Sequence, residues 1–172
     1  HYRSEDERLI AFSNRHKDLY RSRLITAPSV TEKSPFVYHQ VEGDFKDISG
    51  KCPKAEIKKT VSLAIDHLKN NPNESLGVIA LGSSHAMYLD KEFKRQSENL
   101  NLQLWPDNKP EEKFIIRHLE NVQGDERDVI FLSTGYGPRK HDTIRLDFGP
   151  INMDKNLFGL RRLNVATTRS RK

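Results

Sequence analysis

Cysteine is nearly absent from this sequence, which has one, Cys52, in 172 residues. A lone cysteine excludes an internal disulfide framework and offers no metal-ligand spacing. Long apolar runs are missing too. Nothing approaches the roughly 20 apolar residues that a membrane-spanning helix needs, and no signal-like segment opens the chain. These absences point to an intracellular protein that does not enter a membrane. Also missing is the phosphate-loop pattern GxxxxGK(S/T), so the GYG at 135–137 stands without the lysine and hydroxyl that would make it a phosphate cradle. Acidic residues are scarce at one end. Net charge is +5, and residues 139–172 hold nine of the 29 basic side chains against three of the 24 acids. The whole positive excess therefore lies there, where ATP or a nucleic-acid backbone would be favoured, although a solvated basic tail has the same composition.

What is present reads as one domain with a sizeable core. Ser4 is placed to cap a helix with Glu5, Asp6 and Glu7 in its first turn and Leu9, Ile10 and Phe12 on its apolar side. Residues 36–41 (FVYHQV) have the composition of a strand. Residues 54–70 form the clearest helix, with Ile57, Val61, Ile65 and Leu68 recurring on one face and lysines opposite. Residues 76–81 (LGVIAL) read as a buried strand running into a Gly/Ser turn and a helix with Ala86, Leu89 and Phe93 inward. Residues 99–112 are polar and broken by prolines, with Trp105 expected against the sheet rather than free to stack a base. Strands follow at 114–119 and 129–133, the latter an unbroken apolar run that suits burial on both faces. Residues 161–168 form a helix carrying Leu163, Val165 and Ala166 inward. Alternating strands and helices predict a mainly parallel sheet with helices on both faces.

The chemistry concentrates between Glu120 and Lys172. ENVQGDERDVIFLS places a glycine and carboxylates in a turn beside a strand, and RRLNVATTRSRK ends a helix with arginine. An arginine so placed can reach a phosphate whose charge changes during phosphoryl transfer, although helix-end arginines usually just complement the macrodipole.

VQGDERDVIFLS resembles motif V of superfamily 1 helicases, and RRLNVATTRSRK resembles their motif VI. HYRSEDERLIAFSNRHKDLY is similar to the motif IV region of the branch that contains the nonsense-mediated-decay RNA helicase. Three motifs in family order, covering both ends of the chain, imply the second, C-terminal RecA-like domain of such a motor, a three-layer α/β fold of P-loop NTPase type without its own Walker A loop. The resemblance implies that residues 1–172 are a fragment of a longer ATP-dependent helicase or translocase. ATP with Mg²⁺ would be the cofactor, the Mg²⁺ ligands lying on the N-terminal RecA-like domain of the same polypeptide. Tyr2 would meet the base, Arg3 the terminal phosphate and Glu126 the ribose hydroxyls, with Gly124 admitting the nucleotide to the backbone. Arg169 would be the arginine finger and Arg3 a second catalytic candidate. Ser83, Ser84 and His85, in the segment matching motif IVa, would face single-stranded DNA or RNA. His85 stands where relatives usually carry Gln. Gln123 would link the nucleotide and strand sites. Movement from 5′ to 3′ is the polarity of that branch.

Other chemistries remain open to these residues. Glu120, Asp125, Glu126 and Asp128 are the acids that a Mg²⁺-dependent nuclease would use, but three of them crowd into one turn. A non-catalytic nucleic-acid-binding module would use the basic tail and Ser83 to His85. Ser83 and Ser84 would serve equally as helix caps.

Overall fold

The computed structural model describes residues 4–29, 32–42, 52–136 and 157–172. In chain order these form α1 (Arg8–Arg15), α2 (Lys54–Asn70), β1 (Leu76–Ala80), α3 (Ser83–Ser97), β2 (Ile115–His118), a 3-10 turn at Leu119–Asn121, β3 (Val129–Ser133) and α4 (Leu157–Thr167). The strands make one parallel sheet in the order β2-β1-β3. Gly77 pairs with Ile115 on one side of β1, and Leu76 pairs with Val129 on the other.

Alternate residues of β1 feed two cores, because successive side chains of a strand point to opposite faces. Leu76, Val78 and Ala80 meet Ile57, Val61 and Ile65 of α2 and Leu89 and Phe93 of α3. Ile79 and Leu81 point the other way, toward Leu119, Val122 and Ala166, with Leu163 and Val165 of α4 packed alongside. Helices thus cover both faces of a parallel sheet. This is the three-layer α/β architecture expected of a RecA-like domain. Crossover through α3 joins β1 to β2, whereas residues 119–128 join β2 to β3 over the α4 face.

Several local expectations need correction. Helix α1 begins at Arg8, not after Ser4. The Ser4 hydroxyl is committed to the carbonyls of Asp6 (3.2 Å) and Arg171 (3.3 Å), and the Asp6 carboxylate takes the Arg8 N–H at 2.9 Å. That local turn starts the helix later and leaves Glu5 to Glu7 ahead of it. Residues 36–41 form no strand, and Phe36, Val37 and Tyr38 are exposed. β-Propensity measures fit to a half-buried pleated surface, and no described strand pairs with this stretch. β3 is the edge of the described sheet rather than covered on both faces, so Leu132 is 40% exposed. Trp105 is 45% exposed instead of tucked away, with Lys113 Nζ 5.9 Å from its ring centroid.

Candidate functional site

Two polar clusters sit at opposite ends of the sheet, separated by strands of about 15 Å at roughly 3.3 Å per residue. At the amino end, three segments far apart in sequence become neighbours. The Arg127 N–H donates to the Arg169 carbonyl (3.2 Å), the Arg171 N–H donates to the Arg127 carbonyl (3.1 Å), and the Lys172 N–H donates to the Asp128 carbonyl (2.9 Å). The last residues therefore run parallel to the start of β3, with Ser170 opposite Arg127. The Arg171 carbonyl in turn accepts the Glu5 N–H at 2.6 Å. Ser4 and Arg171, 167 positions apart, are thereby joined. Tyr2 and Arg3 lie outside the described residues.

Arg169 leaves the end of α4 half-buried. Its Nε donates to the Val165 carbonyl at 3.2 Å and its Nη2 to the Thr168 hydroxyl at 3.3 Å. The guanidinium thus lies back against the last turn, where the helix dipole is negative. Among the described residues no carboxylate pairs with it. Gly124 has φ +91, in the region that favours glycine, and a Cβ there would meet nothing within 4 Å. Glu126 is half-buried and Gln123 exposed in the same turn.

Beneath this surface Arg171 ends in an ion network. Its Nη1 donates to Glu112 Oε1 (2.7 Å), its Nε to Asp128 Oδ1 (3.2 Å) and its Nη2 to Asp128 Oδ1 (3.0 Å), Ser75 Oγ (3.3 Å) and the other Glu112 oxygen. Lys109 Nζ reaches both Asp128 oxygens at 2.8 and 2.9 Å. Burial would raise the Asp128 pKa, but hydrogen bonds from Lys109 and the Ser75 N–H, with the charges of Arg171 and Lys109, hold it at about 2.

The carboxyl end presents the start of α3. Gly82, not a serine, occupies the N-cap, and no side chain caps the helix. Ser83 is exposed and Ser84 half-buried, but His85 is only 4% exposed and turns inward. Its Nε2 lies 2.8 Å from Ser133 Oγ, which donates to Glu56 Oε1 at 2.8 Å. The same carboxylate oxygen accepts the Gly135 N–H at 2.9 Å, and Thr60 Oγ1 is 3.3 Å from Ser133 Oγ. Burial pushes the His85 pKa down, and Glu56 opposes that shift.

Glu126 and Arg169 therefore share the amino end with the segment following Arg3, whereas Ser83 and Ser84 occupy the other end. His85 faces the interior, so direct contact with a strand does not suit its position. Sequence reasoning overlooked both networks. A signal for one was present: His85, Leu89 and Phe93 recur at four-residue spacing, and these are the buried side chains of α3. Two acids of the nuclease reading are otherwise engaged. Glu120 pairs with Arg162 at 2.6 Å, and Asp128 is 1% exposed between Lys109 and Arg171.

Comparison with known proteins places this architecture. The uncharacterized ATP-dependent helicase MG140 of Mycoplasma genitalium is 30% identical to the chain over 177 residues, which take in 99% of the chain and 15% of the relative. Its Mycoplasma pneumoniae homolog matches with the same identity and coverage. The chain thus spans 15% of the length of these relatives. A family model described as AAA domain matches residues 1–172 throughout, and the chain belongs to that family, AAA_12.

Proposed function

We propose that this chain works as the second, C-terminal RecA-like domain of a longer ATP-dependent helicase or translocase of superfamily 1. One observation carries the reading. Backbone hydrogen bonds gather the segment after Tyr2 and Arg3, the turn bearing Gly124 and Glu126, and the end of α4 bearing Arg169 onto one end of the sheet. These are the parts that would line one wall of an ATP site. The fit to ATP is chemical. Arg169 has no carboxylate partner among the described residues and can swing from its own helix end to a phosphate. Glu126 offers an acceptor to ribose hydroxyls, and the open Gly124 turn lets a nucleotide approach the backbone.

ATP, bound with Mg²⁺ on the N-terminal RecA-like domain of the same polypeptide, supplies the phosphoryl group whose transfer drives movement. Arg169 then acts as the arginine finger that stabilises charge on that group, with Arg3 a second candidate and Tyr2 stacking on the base. Ser83 and Ser84 meet the backbone of single-stranded DNA or RNA at the far end, and Gln123 lies on the crossover between the two sites. The two relatives' names, both ATP-dependent helicases, support the reading.

The test is single-strand-stimulated ATP hydrolysis by the full-length protein, wild type beside Arg169→Ala. The rate should fall about 10³-fold or more while ATP binding persists, the effect of removing a complete arginine finger. No stimulation in the wild type would leave a non-catalytic nucleic-acid-binding module with a helicase-like fold, and stimulated hydrolysis that Arg169→Ala leaves unchanged would overturn the arginine-finger role.

A further inference from the structure

We infer that His85 and Glu56 are positioning residues that clamp the Ser133–Gly135 segment to the first turn of α3, setting the rim that meets the nucleic-acid strand. The inference rests on the reading of that rim as a strand-binding surface.

Hydrogen-bond accounting fixes the arrangement. A hydroxyl has one proton to give and two lone pairs to receive. Ser133 gives its proton to Glu56, at 2.8 Å. It must therefore accept from His85 Nε2, at 2.8 Å, and it can accept from Thr60 at 3.3 Å. That assignment places the single proton of a neutral imidazole on Nε2 and leaves Nδ1 bare. Among the described residues, Nδ1 is indeed buried with no hydrogen-bond partner. A bare acceptor in the interior is tolerable; an N–H there with nothing to receive it is worse. The site is thus built for neutral His85.

Glycine completes the clamp. Gly135 has φ +67, and a Cβ there would lie 2.9 Å from His85 Cγ. The backbone can press against the ring only because there is no side chain. Glu56 holds the same residue from the other side through its N–H, at 2.9 Å. One carboxylate of α2 and one ring of α3 thus grip the chain as it leaves β3. Ser83 and Ser84, immediately before His85, move with this unit. Ser133, 3% exposed, is too buried to act on a substrate itself.

Protonation should release the clamp. A second proton would sit on Nδ1 with no acceptor among the described residues, and burial already disfavours the charged ring. Among the described residues the charged group facing the ring is Glu56 of α2, whose Oε1 is 3.7 Å from Nε2; the groups from β3 and its exit, Ser133 and Gly135, are uncharged, as is Thr60. Because the His85 pKa is lowered, the neutral, clamped form prevails at neutral pH and is lost as pH falls below the ordinary histidine range.

The experiment uses the full-length protein and fluorescein-labelled oligothymidylate and oligouridylate, with affinity read by anisotropy between neutral and mildly acidic pH. His85→Ala should weaken binding about tenfold, the effect of losing one buried hydrogen bond and its packing. His85→Gln, whose amide N–H can still donate to Ser133, should restore most of it. Wild-type affinity should fall with acidification, and His85→Gln should lack the part of that fall due to the ring. A folded His85→Ala that binds as wild type does, or a pH profile identical in wild type and His85→Gln, would overturn the positioning role. If His85→Ala does not fold, the profile of His85→Gln decides alone. A wild type that binds neither oligonucleotide would instead overturn the strand-binding reading.

Discussion

Asp128 shows what a buried carboxylate needs in order to stay ionised. It is 1% exposed, yet its pKa lies at about 2 rather than 3.8. Lys109, Arg171 and the Ser75 N–H together outweigh the cost of burial. The linkage follows directly. A carboxylate whose folded pKa is depressed adds stability that is fully present above its unfolded pKa and lost as pH falls through the folded one. A shift of this size is worth about 2 kcal/mol at neutral pH and disappears between roughly pH 4 and pH 2. In the full-length protein, hydrogen exchange of the β1 and β3 amides should accelerate over that window in the wild type. Asp128→Asn should be less protected at neutral pH and should show a shallower acid dependence. Arg171→Ala should be harsher, costing about 3–5 kcal/mol, because it leaves Glu112 without the guanidinium that pairs with it and Asp128 with Lys109 alone. An Arg171→Ala domain as protected as the wild type would show that Lys109 alone suffices.

At the scale of elements, β1 has little tolerance. A Cβ on Gly77 would lie 2.9 Å from Ile130 Cδ1 and 3.3 Å from Arg127 Cγ. Gly77→Ala should therefore cost about 1–3 kcal/mol by overpacking. Ile130→Val, which removes that Cδ1, should recover part of the loss in the double variant, read again as amide protection in β1. Equal losses in the single and double variants would mean that the Arg127 contact dominates. These elements differ in how far the sequence announced them. α2 lies where its apolar spacing put it, and β1 and β3 lie within their apolar runs, because burial against a single core enforces a period. Residues 36–41 misled because aromatic and β-branched composition says nothing about whether a partner strand is at hand. The cap at Ser4 misled because its hydroxyl is taken by Arg171, a partner from the far end of the chain. His85 was legible in its spacing but was read by its neighbours: the two serines before it drew attention to the surface when the four-residue interval pointed inward. The partners within either network were not legible, since each joins side chains from segments whose adjacency only the fold creates.

For the whole molecule, the two ends of the sheet share their strands. β3 begins beside Asp128, in the network that anchors the Arg169 segment, and ends at Ser133, in the clamp behind Ser83 and Ser84. β1 lies beside it, buried throughout. A packed parallel strand pair transmits displacement poorly by bending and well as a rigid body. On the proposed reading, nucleotide and strand should therefore be coupled through the orientation of this domain as a unit rather than through deformation within it. Coupling of this kind is reciprocal, because both ligands bias the same equilibrium. In the full-length protein a non-hydrolysable ATP analogue should change affinity for oligothymidylate or oligouridylate by about 5- to 150-fold. The oligonucleotide must then change affinity for the analogue by the same factor and in the same direction. Arg169→Ala should reduce both factors together if Arg169 meets the nucleotide as proposed, because the substitution leaves the proposed strand-facing end intact. Anisotropy titrations of each ligand with and without the other measure all four affinities. An Arg169→Ala variant that binds the analogue and keeps the full coupling factor would show that the domain is oriented by some group other than Arg169. Arg3, the second catalytic candidate that the family resemblance implies, would then be the next to substitute.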